Sequence, residues 1–337
     1  MMKSRANTVA AVGLVLALIG AGATALVYFA SPQTDMRRLL FSLLLNAAFF
    51  ISLALGALFF VALHHLTHAG WSVVLRRLGE AIASSIIWLG LAIIPLLVFM
   101  PYVYSWAQPN VAKGDLLIQA KSAYLNSPFF IARTAVYFLI WIAFSQFFLR
   151  NSKKQDASGD PALTVKMERW SPIAVILLSL STTFFAFDFL MSLDPHWFST
   201  IFGVYYFSGS MVGFWALLAL VTLAVRSNDF MGKAITIEHL HDVGKMTFAF
   251  VVFWAYIAFS QYLLIWYGNI PEETAWLHRR AVGQWMNLTY LLLIGHFIIP
   301  FLGLLSRYPK RRPLLLAFWA VWVLVMHYLD LYWIILP

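Results

Sequence analysis

Nine stretches of mainly apolar residues follow one another along the chain, over 8–30, 40–63, 81–100, 128–149, 172–191, 200–225, 246–267, 284–305 and 314–336. Each is long enough to cross about 30 Å of hydrocarbon as a helix. In that medium every backbone N–H must find its partner within the segment or in a closed barrel. The alternating ten-residue strands of a barrel are absent. Only 11% of the residues are charged and 62% are hydrophobic, whereas an average soluble domain has roughly 25% charged. The chain therefore reads as an all-α, polytopic membrane helix bundle with about nine transmembrane helices.

Basic residues set the expected orientation. The N-terminus and the second, fourth, sixth and eighth connections carry 2, 2, 5, 3 and 4 Lys and Arg, sixteen in all; the other connections carry 2, 2, 0, 2 and 0, six in all; Arg133 lies within a span. The positive-inside rule then predicts a cytoplasmic N-terminus and an outer C-terminus. It also accounts for the net charge of +9 without invoking nucleic acid. Lys3 and Arg5 before an apolar run resemble a signal peptide with Ala23-Thr24-Ala25 as a cleavage site, but the run continues through Phe29. That exceeds the usual h-region of about 7–15 residues, so a retained first span is expected.

No cysteine is present, which excludes cysteine-ligated iron–sulfur clusters, covalent c-type haem attachment, thiol redox chemistry and disulfides within this polypeptide. No connection reaches the ~50 residues of a globular domain, so residues 1–337 read as one membrane domain. The polar segment Asn151–Pro161 has the composition of a flexible linker between helix groups 1–150 and 162–337. Ile142–Gln146 and Ile257–Gln261 share the sequence IAFSQ, which fits an inverted repeat or a coincidence of biased composition. Residues 64–80 read as a continuation of the second span to the inner surface, with Gly70 and Gly79 as breaks and Trp71 at the interface.

An ionised side chain in hydrocarbon costs at least about 2.5 kcal/mol, so acids within the spans need a partner, a water path or a function. Asp188, with Ser181 seven residues earlier on nearly the same helical face, forms a polar stripe toward the outer mouth. Asp194-Pro195 reads as a turn or cap, with proton transfer the other reading, and His196 follows it. His327 and Asp330, three residues apart, share a face where the carboxylate can orient the imidazole. Such a pair can pass protons or tie two helices together. His296, with Thr289 seven residues before it, is either a satisfied core histidine or a ligand. Arg133 either pairs with Asp188 or Asp330 or snorkels to the outer headgroups. Tyr256, Ser260 and Tyr267 share a face that can order water, hydrogen-bond a quinone carbonyl or join helices. Glu272 and Glu273 reach the outer surface. Only His296 and His327 lie well inside spans, at depths that do not match as a haem pair. A secondary transporter built on the same acids is a second class of reading, marked by interrupted helices.

Several segments, Leu193–Tyr206 (LDPHWFSTIFGVYY), Glu238–Lys245 (EHLHDVGK), Phe253–Tyr267 (FWAYIAFSQYLLIWY), Asn269–Thr274 (NIPEET) and Tyr328–Tyr332 (YLDLY), resemble the ActF subunits of bacterial alternative complex III. Those are polysulfide-reductase-like (NrfD-type) membrane subunits of quinol:cytochrome c, or other acceptor, oxidoreductases. The resemblance covers roughly the second half of the chain. It implies a multi-pass subunit of the bacterial cytoplasmic membrane that binds no haem or iron–sulfur cluster of its own. Its implied partners are a paralogous NrfD-type subunit, a multihaem cytochrome c and iron–sulfur proteins, with a quinone site or proton path in the membrane. The family generally has ten spans, one more than the nine counted here, and that departure leaves the side of the C-terminus open. On this reading Asp188, His296, His327 and Asp330 are proton-path candidates, tuned by Arg133, with Tyr256 and Ser260 ordering water and Asp194, His196, Glu272 and Glu273 at the outer mouth. No catalytic or metal-ligating residue is assigned.

Overall fold

The computed structural model describes residues 36–226 and 234–337. Among them, eight helices are long and apolar enough to cross a membrane: α1 (Met36–Leu66), α2 (Val73–Val98), α3 (Ser127–Ser158), α4 (Ala162–Phe189), α5 (Phe202–Arg226), α6 (Ile237–Gly268), α7 (Gln284–Leu305) and α8 (Pro313–Ile335). No strand occurs among the described residues. These residues form a polytopic membrane helix bundle; the expected first span, 8–30, lies outside them.

The helices alternate in direction, so their ends form two faces. At the basic end His68 meets Glu168 at 2.9 Å and Arg311 meets Glu238 at 2.6 Å, while Arg77 pairs with Asp156. At the opposite end His196 Nε2 lies 2.6 Å from Asp115, Lys121 Nζ donates to the Pro195 carbonyl at 2.6 Å, and Trp197 stacks on Trp276 at 4.4 Å. Helix α1 is the central element, with 78% of its most apolar stretch buried. It packs on α4, α5 and α8, while α5 also packs on α4, α6 and α8.

Two sequence expectations are corrected here. The segment 151–161 is not a linker: α3 runs on to Ser158, and only Gly159, Asp160 and Pro161 connect it to α4. Lys153, Lys154 and Gln155 are good helix formers that carry the helix past its apolar part. The stop is Gly159 at φ 69, a left-handed position that glycine occupies without penalty. Gly79 is not a break either. It sits inside the helix Val73–Ala83, where an added Cβ would lie 2.8 Å from the Phe60 ring. The break in α2 falls at Ser84 and Ser85, whose hydroxyls donate to the carbonyls of Ala81 and Ile82 at 2.7 Å each.

The crossing of α5 with α8 depends on one close approach. A Cβ added at Gly213 would stand 2.7 Å from both His327 Cδ2 and Leu53 Cδ2. Gly213→Ala should therefore cost about 1–3 kcal/mol by overpacking, measured as a lowered unfolding midpoint in detergent; an unchanged midpoint would show that the ring of His327 can yield.

Candidate functional site

Two buried polar centres lie toward the end opposite the basic face. The first is built on Asp188, in the last turn of α4 and fully buried. Arg133, in the second turn of α3, donates from Nε to Oδ2 and from Nη2 to Oδ1, both at 2.9 Å. Its third nitrogen donates to the Tyr124 carbonyl at 3.0 Å, and its guanidinium lies 3.8 Å from the Tyr124 ring centroid and 4.3 Å from that of Phe129. Tyr137 O–H adds a third donor to Asp188 at 2.7 Å. This side-on, two-bond pairing fits the planar guanidinium to the carboxylate. Arg133 thus pairs with Asp188, and not with Asp330 or a headgroup. Ser181 accepts from Trp141 Nε1 at 2.8 Å, which joins α3 to α4 one step deeper. The centre is closed: each Asp188 oxygen already has a donor and the charge is balanced.

The second centre has donors on both oxygens but no counter-charge: Asp330, on α8 and 1% exposed, accepts at Oδ1 from Tyr205 O–H of α5 at 2.5 Å and at Oδ2 from Trp254 Nε1–H of α6 at 3.1 Å, with no cation in contact among the described residues. His327, one turn deeper, does not bond Asp330 as its spacing suggested, because its ring turns to α1 and its Nε2 lies 2.8 Å from Ser52 Oγ. The Ser52 hydroxyl gives its proton to the Phe49 carbonyl at 2.6 Å, so it accepts from Nε2–H. Nδ1 is then the unprotonated nitrogen, buried and without a hydrogen-bond partner among the described residues. The two side chains still share a cleft over Gly209: the point where a Cβ would begin there lies 3.2 Å from His327 Nδ1 and 3.9 Å from Asp330 Oδ2.

His296 completes the group through Trp254, against which its ring stacks at 3.9 Å between centroids. It is fully buried, and neither ring nitrogen has a hydrogen-bond partner among the described residues. A seven-residue π-helical turn, Leu292–Ile298, carries it, and such turns are frequent at functional sites. The wider turn also explains why Thr289 does not share its face. Thr289 Oγ1 instead accepts from Trp333 Nε1 at 2.8 Å and lies 2.9 Å from the Arg280 carbonyl.

The remaining candidates fall elsewhere. Tyr256 is 64% exposed on the outer surface of α6, and Ser260 donates to the Tyr256 carbonyl at 2.7 Å, so neither faces the buried group. Asp194 forms the expected turn by accepting from the His196 N–H at 3.2 Å, and it also pairs with Arg279. His196 bonds Asp115, whose carboxyl is held below the usual range chiefly by the Ile118 N–H. Glu272 and Glu273 occupy the first turn of the short helix Pro271–Arg280, where acids suit the helix dipole. His64 bonds the Phe60 carbonyl at 2.8 Å, and Arg76 donates to His65 at 3.1 Å, both at the basic end.

Sequence reasoning missed the partners Tyr205, Trp254 and Ser52. It also missed Arg280, which is 4% exposed and donates to the carbonyls of Trp333 and Ile334 at the end of α8, at 3.0 and 2.7 Å. Burial, together with the neighbouring charge of Arg279, holds the Arg280 guanidinium down to about 9.

Chemically, Asp330 and His327 of α8 and His296 of α7 supply titratable groups with unmet nitrogen valences, and their neighbours Ser52, Tyr205 and Trp254 bring in α1, α5 and α6. The arrangement can hold and exchange protons or polar molecules. No protein-family model matches the chain, and no curated protein matches it.

Proposed function

We propose that this chain is a membrane subunit of a quinol-oxidising respiratory complex of the alternative complex III type, and that protons move through Asp330, Tyr205, His327 and His296. It would lie in the bacterial cytoplasmic membrane, basic end inward, beside a paralogous NrfD-type subunit, a multihaem cytochrome c and iron–sulfur proteins. Electrons would stay in those partners, since no cysteine is available here for a cluster or a covalent haem. The observation that carries the reading is a convergence at one carboxylate. Tyr205 belongs to the segment Leu193–Tyr206, Trp254 to Phe253–Tyr267 and Asp330 to Tyr328–Tyr332; these distant parts of the resemblance meet at Asp330 through hydrogen bonds of 2.5 and 3.1 Å.

A secondary transporter is the second reading, favoured by the π-helical turn around His296 and the breaks in α2. Against it, the α2 breaks leave no unwound backbone, since Ser84 N–H still donates to Glu80 O at 3.0 Å and Ile93 N–H to Leu89 O at 3.2 Å. Purification from native membranes in mild detergent separates the two. Mass spectrometry should find a c-type cytochrome and an iron–sulfur protein co-eluting in fixed stoichiometry; a chain that elutes alone and catalyses transport in vesicles refutes the complex.

A further inference from the structure

A groove of about 480 Å³ runs between α3 and α4 at the basic end, outside both polar centres. Its α3 wall is a stripe at four-residue spacing, Ile142, Gln146, Arg150 and Lys154, so apolar wall gives way to charge along about 18 Å of helix. From α4, Lys166 leans over the Phe147 ring, with Nζ 5.7 Å from its centroid. Trp170 flanks the same ring at 6.2 Å and is 46% exposed, as suits an interfacial aromatic. Among the described residues none of Arg150, Lys154 and Lys166 pairs with a carboxylate; on the same two helices Asp156 is engaged by Arg77 and Glu168 by His68, and Asp160 between them accepts from the Ala162 N–H.

We propose that this groove binds an anionic glycerophospholipid, its phosphodiester held by Arg150, Lys154 and Lys166 and one acyl chain lying along Ile142, Ala143 and Phe147. The occupant is chosen by the shape of the charge. Three cations line its end at headgroup level, with the mainly apolar wall of Ile142, Ala143 and Phe147, interrupted by Gln146, beneath them. A soluble anion would use the cations and leave the wall; a neutral lipid would use the wall and leave the cations. Basic pockets between transmembrane helices on the positive side are where acidic headgroups bind. The inference does not depend on the respiratory reading.

Native mass spectrometry of the detergent-purified protein tests it, with phosphatidylglycerol and phosphatidylcholine of equal chain length added in parallel. Phosphatidylglycerol should be retained at least about tenfold better. Each of Arg150→Gln, Lys154→Gln and Lys166→Gln should lower that preference about fivefold, and the triple variant should abolish it. Lys153→Gln, one residue off the stripe, should leave it intact and so separates a site from general attraction. All three cations are exposed, so the single variants will fold; their unfolding midpoints check this directly. Equal retention of the two lipids, an unaltered preference in the triple variant, or glycerophosphoglycerol binding as tightly as the lipid would each overturn the proposal.

Discussion

Arg133→Met should destabilise the protein by about 3–5 kcal/mol, the range for removing one partner of a buried ion pair. Asp188 is fully buried, and two of its three donors come from that single guanidinium at 2.9 Å. With Arg133 gone, an ionised carboxylate that is fully buried would retain only Tyr137 O–H as a donor. The Tyr124 carbonyl would lose its donor as well. The double variant Arg133→Met, Asp188→Leu should recover most of the loss, because a pair replaced by apolar groups of similar volume removes the charge together with its desolvation cost. Denaturant unfolding in micelles, followed by tryptophan fluorescence, gives both numbers. A single-variant loss under about 1 kcal/mol would mean that water reaches Asp188. A double variant no better than the single would mean that Arg133 acts through Tyr124 and Phe129 and not through the carboxylate.

How far such a bundle can be read from its residues depends on what each pattern encodes. Span positions come directly from hydropathy, and α1, α5, α7 and α8 lie within about four residues of the apolar stretches. Helices α3, α4 and α6 extend past those stretches at the basic end, since a helix continues into the headgroup layer wherever its backbone bonds do. Rotation about each helix axis is far less legible. A span that is apolar on all sides has no distinct inner face, so Tyr256 and Ser260 gave no sign that they point outward. Spacing places His327 and Asp330 on one side of α8, yet the neighbours there, Ser52 on α1 and Tyr205 and Trp254 on α5 and α6, decide what each bonds. The π-helical turn is hidden for a similar reason: the sequence Leu292–Ile298 contains no residue that demands it, and it shifts the phase of everything between Thr289 and His296. For Arg133 the sequence narrowed the choice to Asp188, Asp330 or the headgroups without deciding, and only the packing of α3 on α4 selects Asp188.

If the proposed function holds, Asp330→Asn should slow quinol-driven proton release and acceptor reduction by about 10²-fold, the lower range for losing a positioned acid–base group. The substitution keeps the shape and the acceptor for Tyr205 O–H. The new amide N–H₂ then faces Trp254 Nε1–H, donor against donor, where the carboxylate oxygen accepted at 3.1 Å. That mismatch alone costs about 1–3 kcal/mol of stability, so a rate must be corrected for the folded fraction before it bears on proton movement. Tyr205→Phe provides the comparison: it removes the hydrogen bond to the other carboxylate oxygen, Oδ1, but leaves the carboxylate able to gain and lose a proton. If Asp330 carries protons, the asparagine variant should be slower than the phenylalanine variant by at least tenfold at equal stability. If Asp330 serves only to join α5, α6 and α8, the two variants should differ in unfolding midpoint and agree in rate per folded complex. Reconstitution in proteoliposomes with a pH-sensitive dye inside reads the proton step apart from electron transfer, because a purely structural defect lowers both together while a broken proton path lowers proton release first.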